Sequence, residues 1–258
     1  MNDTVERPSA GLSTRALRVW ALVFTVAGIL GRGLLQNGIL QVNVLNGDEL
    51  MDLLNGSRNS MILATIAIVL QAVETCAVPI FVFLMVEGLQ HTASVQKYFL
   101  RVLAVALLSE LPYNLTMSGK WVDMQTRNPV FGLLIGLAVL YFFRRYGKKT
   151  PGDYLIRLFV VLAAVLWIGF FGIEYGLPTL ILSLVLWMVR NQPKYRILVG
   201  ALATVICCLF SLFFMAATMS FLILHFYEGE KGDGCRLVNY GMYPAVLLLV
   251  GLIANYVI

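Results

Sequence analysis

The sequence predicts an all-α, polytopic integral membrane protein with about eight or nine transmembrane helices. Its 258 residues are 59% hydrophobic and only 13% charged, and the mean hydropathy is +0.82. Soluble domains are about 45–50% apolar and about 25% charged. In addition, charged or turn-rich segments divide the chain into apolar stretches of membrane-spanning length. These observations exclude an ordinary soluble domain, so any chemistry has to lie within or between the helices.

The apolar stretches give the predicted spans in chain order. They lie at 17–40, 61–90, 99–116, 129–146, 154–173, 175–190, 196–213, 216–227 and 237–258. The eighth is too short to cross a bilayer upright, so 196–227 is alternatively one kinked helix or a helix pair broken around Met215–Ala217, which leaves eight spans. Pro79 is expected to kink the second span and free a backbone carbonyl. Residues 1–16 are expected to precede a single transmembrane domain, 17–258, as a short cytoplasmic segment.

Basic residues are distributed asymmetrically between the two sides of these spans. With a cytoplasmic N-terminus, most of the 19 Lys and Arg residues fall in cytoplasmic segments, and the outer loops hold only Arg58, Lys120 and Arg127. The positive-inside rule describes this asymmetry. The formal net charge of +5 therefore indicates orientation in the membrane first, an anionic cytoplasmic ligand second, and not nucleic-acid binding.

The cysteines and histidines predict neither a disulfide framework nor a metal site. The four cysteines contain no Cys-x-x-Cys, and Cys76, Cys207 and Cys208 lie in apolar stretches where thiols act as small hydrophobes. The two histidines belong to no His, Cys and carboxylate cluster at metal-ligand spacing.

Two ionisable residues inside predicted spans are candidates for an intramembrane ion pair. A charge at a helix centre costs about 2.5–3.5 kcal/mol on insertion scales, so each such residue is a functional-site candidate. Arg32 lies in the outer half of the first span, and Glu74 lies near the middle of the second, which runs in the opposite direction. The pair either fixes the register of the two helices or forms the charged floor of a reaction chamber. Reversing both charges should restore much of the stability lost by removing one partner.

A second candidate group lies at the inner end of the second span. Glu87 and His91 are four residues apart and so project from one helix face, and Lys97 and Arg101 follow at the same spacing. An imidazole with a carboxylate is suited to acid–base catalysis, and the cations are suited to phosphate. The alternative is an interfacial turn whose helix ends are flanked by snorkelling cations.

The loop after the fourth span, 144–154, adds further cations at the same side. They are Arg144, Arg145, Lys148 and Lys149. Membrane lipid headgroups are the first expected contact of this loop, and a polyphosphate is the sharper alternative.

A polar group is predicted at the outer side of the membrane. Glu110, Asn114 and Asn128 lie at the outer ends of the third and fourth spans, and Glu174 lies at the outer end of the fifth. These side chains are expected to converge on an outer substrate-binding site, opposite the basic inner one. The alternative is solvation of helix ends by lipid headgroups.

Residues 78–115 carry a family resemblance. The run VPIFVFLMVEGLQHTASVQKYFLRVLAVALLSELPYNL contains Pro-Ile-Phe, Val-Glu-Gly, His-Thr, Lys-Tyr and Ser-Glu-x-Pro elements in order. It resembles the central signature of the TraX family of bacterial membrane proteins. Weaker similar segments follow, namely RNPVFGLLIGL, IEYGLPTLIL, HFYEGEKG and YPAVLLLVGLI. The resemblance therefore covers nearly the whole chain after the first helix.

The resemblance implies a function as well as a fold. The founding TraX member is associated with N-terminal acetylation of conjugative pilin, and the family is thought to be related to membrane acyltransferases that use cytoplasmic acetyl-CoA. It implies that the inner cations Lys97 and Arg101, with those of the 144–149 loop, bind CoA phosphates, and that Glu87 and His91 act as the acid–base pair. The implied acceptor is a pilin-like protein, a glycan or a lipid.

The sequence departs from the family pattern at three places. The family's first-helix Asp-His pair corresponds to Gly28-Ile29 here, and its Arg four residues before the proline of the second helix corresponds to Thr75. The His after the final Tyr-Pro is replaced by Val246. Arg32 and Glu74 are a candidate charge-swapped version of the family's Asp and Arg. The alternative function is a non-catalytic assembly factor, scaffold or small-solute transporter on the same framework.

Overall fold

The computed structural model describes residues 11–148, 150–229 and 236–257, and all side chains within them except those of Lys194 and residues 236–240. These residues form α-helices joined by short loops. In chain order the helices are α1 Thr14–Ile29, a π-helix Leu30–Ile39, α2 Gly47–Gly56, α3 Arg58–Glu74, α4 Ala77–His91, α5 Val95–Ser118, α6 Val130–Arg145, α7 Pro151–Phe171, α8 Gly176–Met188, α9 Pro193–Cys207, α10 Phe214–Ala217, α11 Ser220–His225 and α12 Arg236–Tyr256. The predicted all-α class is confirmed.

Four helical stretches in the described residues are long and apolar enough to cross a membrane. They are Thr14–Ile39, Arg58–His91, Val95–Ser118 and Pro151–Phe171. Shorter apolar helices, including α8 and α9, accompany them. The chain is thus an all-α membrane protein, and the number of spans, eight or nine, stays a prediction.

The first span begins three residues earlier than predicted. The side chain of Ser13 accepts a hydrogen bond from the backbone N–H of Ala16 and caps α1, so the helix starts at Thr14. At Leu30 the helix widens into π geometry without a break. Such π segments are rare and often occur at functional sites, and this one carries Arg32.

The second span is broken near its middle, between α3 and α4. Pro79 has no N–H, and the carbonyl of Thr75, four residues before it, accepts instead from the N–H of Val78 at 3.2 Å. The Thr75 hydroxyl donates to the carbonyl of Phe213 at 2.9 Å, which ties the break to the turn after α9. The predicted kink is present, and it lies immediately after Glu74.

Residues 196–227 form a hairpin rather than a kinked helix. The predicted helix pair is present, but the position of its break is wrong, because Met215–Ala217 lie in α10 and the turn lies at 208–213. The hydroxyls of Thr204 and Thr218 lie 3.1 Å apart across the hairpin. The carbonyls freed at the turn find partners, as buried backbone within a membrane requires.

Hydrogen bonds define two faces of the bundle, and most of the charged helix ends lie at one of them. At the basic face, Arg144 donates to the carbonyl of Leu89 at 3.0 Å, which joins the ends of α6 and α4. At the opposite face, Asn37 donates to the carbonyl of Met117 at 2.9 Å, and Asn255 donates to that of Leu115 at 3.0 Å. The first span, α5 and α12 therefore meet at the face away from most of the cations.

Candidate functional site

One cavity of about 830 Å³ runs from the basic face into the bundle. Its rim is formed by Arg18, His91, Lys97 and Arg101, and its walls by apolar side chains of α1, α4, α5 and α6. Its deep end is lined by Glu74, Tyr175 and Tyr243. Glu74 and His91 are roughly 17 residues apart along the chain, which corresponds to about 25 Å of helix. The volume of the cavity is typical of a ligand site.

The rim consists of cations at helix ends close to solvent. Ser94 caps α5 by accepting from the N–H of Lys97 at 3.4 Å, and this fixes the start of the helix that carries both Lys97 and Arg101. Arg101 donates from Nε to the carbonyl of Lys97 at 3.0 Å. Arg18 of α1 completes the rim. The result is a cluster of cations suited to an anionic ligand.

At the deep end, Arg32 is the centre of a buried network. Its Nη1 forms an ion pair with Glu174, and its Nη2 donates to the Tyr175 hydroxyl at 3.0 Å. The same Nη2 lies 4.0 Å from Oε2 of Glu74. Arg32 and Glu74 are therefore within ion-pairing distance, but Glu174 is the closer partner. One guanidinium is shared by the carboxylate of Glu74 at the end of α3 and that of Glu174 in the turn between α7 and α8.

Glu174 is held from a second side by Tyr113. The Tyr113 hydroxyl donates to Oε2 of Glu174 at 2.6 Å. Tyr113 follows Pro112 inside α5 and is almost fully buried. Both oxygens of Glu174 thus have donors, whereas Oε2 of Glu74 has no hydrogen-bond partner in the described structure.

Gly28 makes room for Glu74 between α1 and α3. A Cβ atom at position 28 would collide with the Glu74 carboxylate. The space beside Gly28 is filled by the Glu74 carboxylate from α3. A side chain larger than glycine would push that carboxylate away from Arg32.

Tyr175 reaches the cavity through an unusual backbone conformation. Its φ of 53° lies in the left-handed region, which is costly for a bulky residue. This conformation forms the corner between α7 and α8, where Gly172, with φ 58°, ends α7. The residue with this strained backbone is the one whose hydroxyl accepts a hydrogen bond from Arg32.

The predicted acid–base pair, Glu87 and His91, lies at the rim. His91 Nε2 is 3.4 Å from Glu87 Oε2, so the two are close, as their spacing on α4 predicts. Glu87 also forms an ion pair with Arg196 of α9, whose guanidinium packs over the Phe83 ring at 4.4 Å. The His91 side chain is 68% exposed and lines the cavity mouth, while Glu87 is not among the lining residues.

The predicted outer cluster divides into two groups. Glu110 accepts from Arg127 at 2.7 Å and from the Asn128 side chain at 2.7 Å, whereas Glu174 joins the Arg32 network. Oδ1 of Asn114 is buried without a hydrogen-bond partner. Backbone bonds connect the groups, because the N–H of Glu174 donates to the Arg127 carbonyl at 3.1 Å.

The described cations at the end of α6 and in the loop after it do not line the cavity. Arg144 caps the end of α4 through the Leu89 carbonyl, and Arg145 lies 3.4 Å from the Tyr141 hydroxyl. Lys148 is exposed on the basic face, and Lys149 lies outside the described residues. The structure therefore brings Lys97 and Arg101 to the cavity and leaves the 144–148 segment beside it.

Several residues of the cavity and its network were not singled out in the sequence. They are Arg18, Tyr113, Tyr175 and Tyr243, with Arg196 supporting the rim. In the sequence, Arg18 is one of the basic residues that indicate the orientation of the chain in the membrane, and no other role is predicted for it. A usable signal was present for the tyrosines, since each lies beside an intramembrane Pro or Glu, as in Leu-Pro-Tyr, Glu-Tyr-Gly and Tyr-Pro.

These features define a class, a helical membrane protein with an apolar-walled cavity that reaches from a basic face to a buried network of two carboxylates and one arginine. Residues 50–254 match the family described as TraX protein. The chain belongs to this family, which confirms the resemblance found in the sequence. Neither curated proteins nor solved structures give a match.

Proposed function

We propose that this protein transfers an acetyl group from acetyl-CoA to an acceptor inside the cavity. The observation that carries the proposal is the cavity itself, which joins exposed cations at one end to a buried carboxylate at the other. Acetyl-CoA has a matching arrangement of groups, with phosphates at one end and a thioester at the other. A donor that enters from the basic face places its reacting carbon at the deep end.

The proposed donor position assigns each part of the cavity to a part of CoA. Lys97 and Arg101 bind phosphate oxygens, and Arg18 joins them as a third cation. The pantetheine arm lies along the apolar middle, where Phe81, Leu84 and Val102 line the wall. The thioester then lies beside the polar deep end, from which bulk water is largely excluded.

The segment 144–148 is proposed to face membrane lipid rather than CoA. Arg145 and Lys148 are exposed on the basic face away from the cavity. Cations in such a position are attracted to anionic headgroups at the membrane surface.

The orientation that suits this function places the basic face in the cytoplasm of a bacterial inner membrane, where acetyl-CoA is available. Reporter fusions test this. A fusion after Lys149 should be active only with a cytoplasmic reporter, and one within α2, which carries Asp48, Glu49 and Asp52, only with an outer reporter. The reverse pattern would overturn the orientation and separate the rim from the cytoplasmic donor.

Binding of acetyl-CoA to the purified, detergent-solubilised protein tests the function directly. Titration should show saturable binding that weakens with salt and falls about tenfold or more in a Lys97→Ala/Arg101→Ala variant. Lys148→Ala, a cation at the same face outside the cavity, is the matched control and should bind as the wild type does.

The acceptor is proposed to be a pilin-like protein, a glycan or a lipid. Radiolabelled acetyl groups supplied as acetyl-CoA to membranes containing the protein should appear in one of these fractions. Absence of acetyl-CoA binding by the folded protein would overturn the proposal and favour a non-catalytic assembly factor, scaffold or small-solute transporter.

A further inference from the structure

The two carboxylates at the deep end of the cavity have different surroundings. Glu174 has an ion pair with Arg32 on one oxygen and the Tyr113 hydroxyl on the other, and it does not line the cavity. Glu74 lines the cavity, has a side chain only 10% exposed, and lies 4.0 Å from Arg32 with its Oε2 unpartnered. Buried polar atoms normally have a hydrogen-bond partner, so this oxygen requires an explanation.

We propose that Glu74 is the catalytic base of the acyl transfer. Glu74 lines the cavity where the thioester and the acceptor would meet, with Oε2 packed beside Gly28, and within the described residues its carboxylate makes no hydrogen bond that taking a proton would break. Glu174 cannot do so, because its oxygens are occupied by Arg32 and Tyr113. This inference rests on the proposed function and adds the residue that activates the acceptor.

The reaction step balances in protons and electrons. The acceptor is a hydroxyl or a neutral amine, and Glu74 removes its proton as the oxygen or nitrogen attacks the thioester carbon. The new C–O or C–N bond forms, the tetrahedral intermediate collapses, and the C–S bond breaks with its electron pair going to sulfur. The Glu74 carboxylic acid returns the proton to the departing thiolate, so that the products are the acetylated acceptor and CoA.

Tyr175 is placed to support the carbonyl oxygen in this step. Its oxygen accepts from Arg32 at 3.0 Å, so its own O–H is free to donate, and the residue lines the cavity beside Glu74. A hydroxyl directed at the position where negative charge develops stabilises the transition state. Arg32, Glu174 and Tyr113 act on this pair as positioning residues.

Glu74→Gln tests the assignment in the full-length protein. The probe reaction is CoA release from acetyl-CoA with water, glycerol or glycinamide as acceptor. The wild type should release CoA with at least one of them, and Glu74→Gln should lower kcat about 10²- to 10⁴-fold with the Kd of acetyl-CoA unchanged. The control is Gln71→Met, one helical turn away on α3, because Gln71 is equally buried, bonds to the Ala67 carbonyl and lies outside the cavity lining.

A second variant separates catalysis from folding. Glu74→Ala leaves a space open to the cavity, and added formate should restore part of its CoA release by supplying a carboxylate there. No structural role of Glu74 predicts such a rescue. Wild-type turnover in Glu74→Gln, or failure of the wild type to cleave acetyl-CoA that it binds with any of the three acceptors, would overturn the assignment. Absence of acetyl-CoA binding would overturn the proposed function itself.

Discussion

At the rim of the cavity, Lys97 and His91 are exposed to solvent, whereas the side chain of Glu74 at its floor is only 10% exposed and that of its neighbour Arg32 is 22% exposed. The rim charges can be removed without leaving a buried charge behind. The floor charges are interdependent, because two carboxylates share one guanidinium. Water screens the charges at the rim, whereas protein surrounds those at the floor. Charged side chains therefore contribute to ligand binding at the rim and to both stability and chemistry at the floor.

The largest effect expected from this difference is that of Arg32→Ala. The change leaves Glu174 and Glu74 without their cation in a buried site, and we expect a loss of about 3–5 kcal/mol in the free energy of unfolding. Thermal melting in detergent measures it. Arg18→Ala at the rim is the matched control, for which a change within about 0.5 kcal/mol is expected. Equal melting temperatures for the two variants would contradict the comparison.

A charge reversal sharpens the same test. For an isolated Arg32–Glu74 pair, the double variant Arg32→Glu/Glu74→Arg would regain stability. The structure predicts that it does not, since the new carboxylate at position 32 would face Glu174. Arg32→Ala combined with Glu174→Gln should instead recover part of the loss, because it removes the nearer stranded charge. Full recovery in the reversed pair would show that Glu174 is not the principal partner.

An intermediate effect is expected for Tyr113→Phe. The substitution keeps the packing of α5 and removes only the hydrogen bond to Glu174, and bonds to charged groups are worth about 1.5–3 kcal/mol. Melting should show a loss near this range. Tyr141→Phe, whose hydroxyl lies on the exposed end of α6, is the control and should melt as the wild type does. If both variants behave alike, the Tyr113 hydroxyl does not hold Glu174.

The sequence allowed the membrane class, the family and the proximity of Arg32 and Glu74 to be predicted. Hydropathy determines the class, and opposite helix directions place two charges at similar depth. The role of Glu174 was not predicted, because it depends on the corner at Tyr175, whose positive φ has no sequence signal in a tyrosine. A helix pair at 196–227 was predicted, but the position of its turn at 208–213 was not, since apolar composition continues across the turn and the packing against Thr75 shows where it falls.

Helical spacing brought Glu87 and His91 together, but it could not show which other helices approach them. Arg196 lies on α9, more than 100 residues away in the chain. It forms an ion pair with the carboxylate of Glu87, which the spacing pairs with the imidazole of His91. Helical periodicity therefore predicts that Glu87 and His91 are in contact. Whether this pair can act in acid–base catalysis depends on Arg196 from a distant helix.

The smallest effect is expected for His91→Ala. The imidazole is mostly exposed, so its removal should change the free energy of unfolding by no more than about 0.5 kcal/mol. Its kcat for CoA release should fall by less than about tenfold, because a rim residue is roughly 25 Å of helix from the floor, whereas a residue acting in acid–base catalysis is worth 10²- to 10⁴-fold. His225→Ala, which removes an exposed histidine outside the cavity lining, is the matched control.

A loss in His91→Ala as large as that in Glu74→Gln, with normal melting and donor affinity, would move the chemistry to the rim. In that case Arg196 would have to release Glu87 during turnover, and Arg196→Ala would raise the activity rather than lower it.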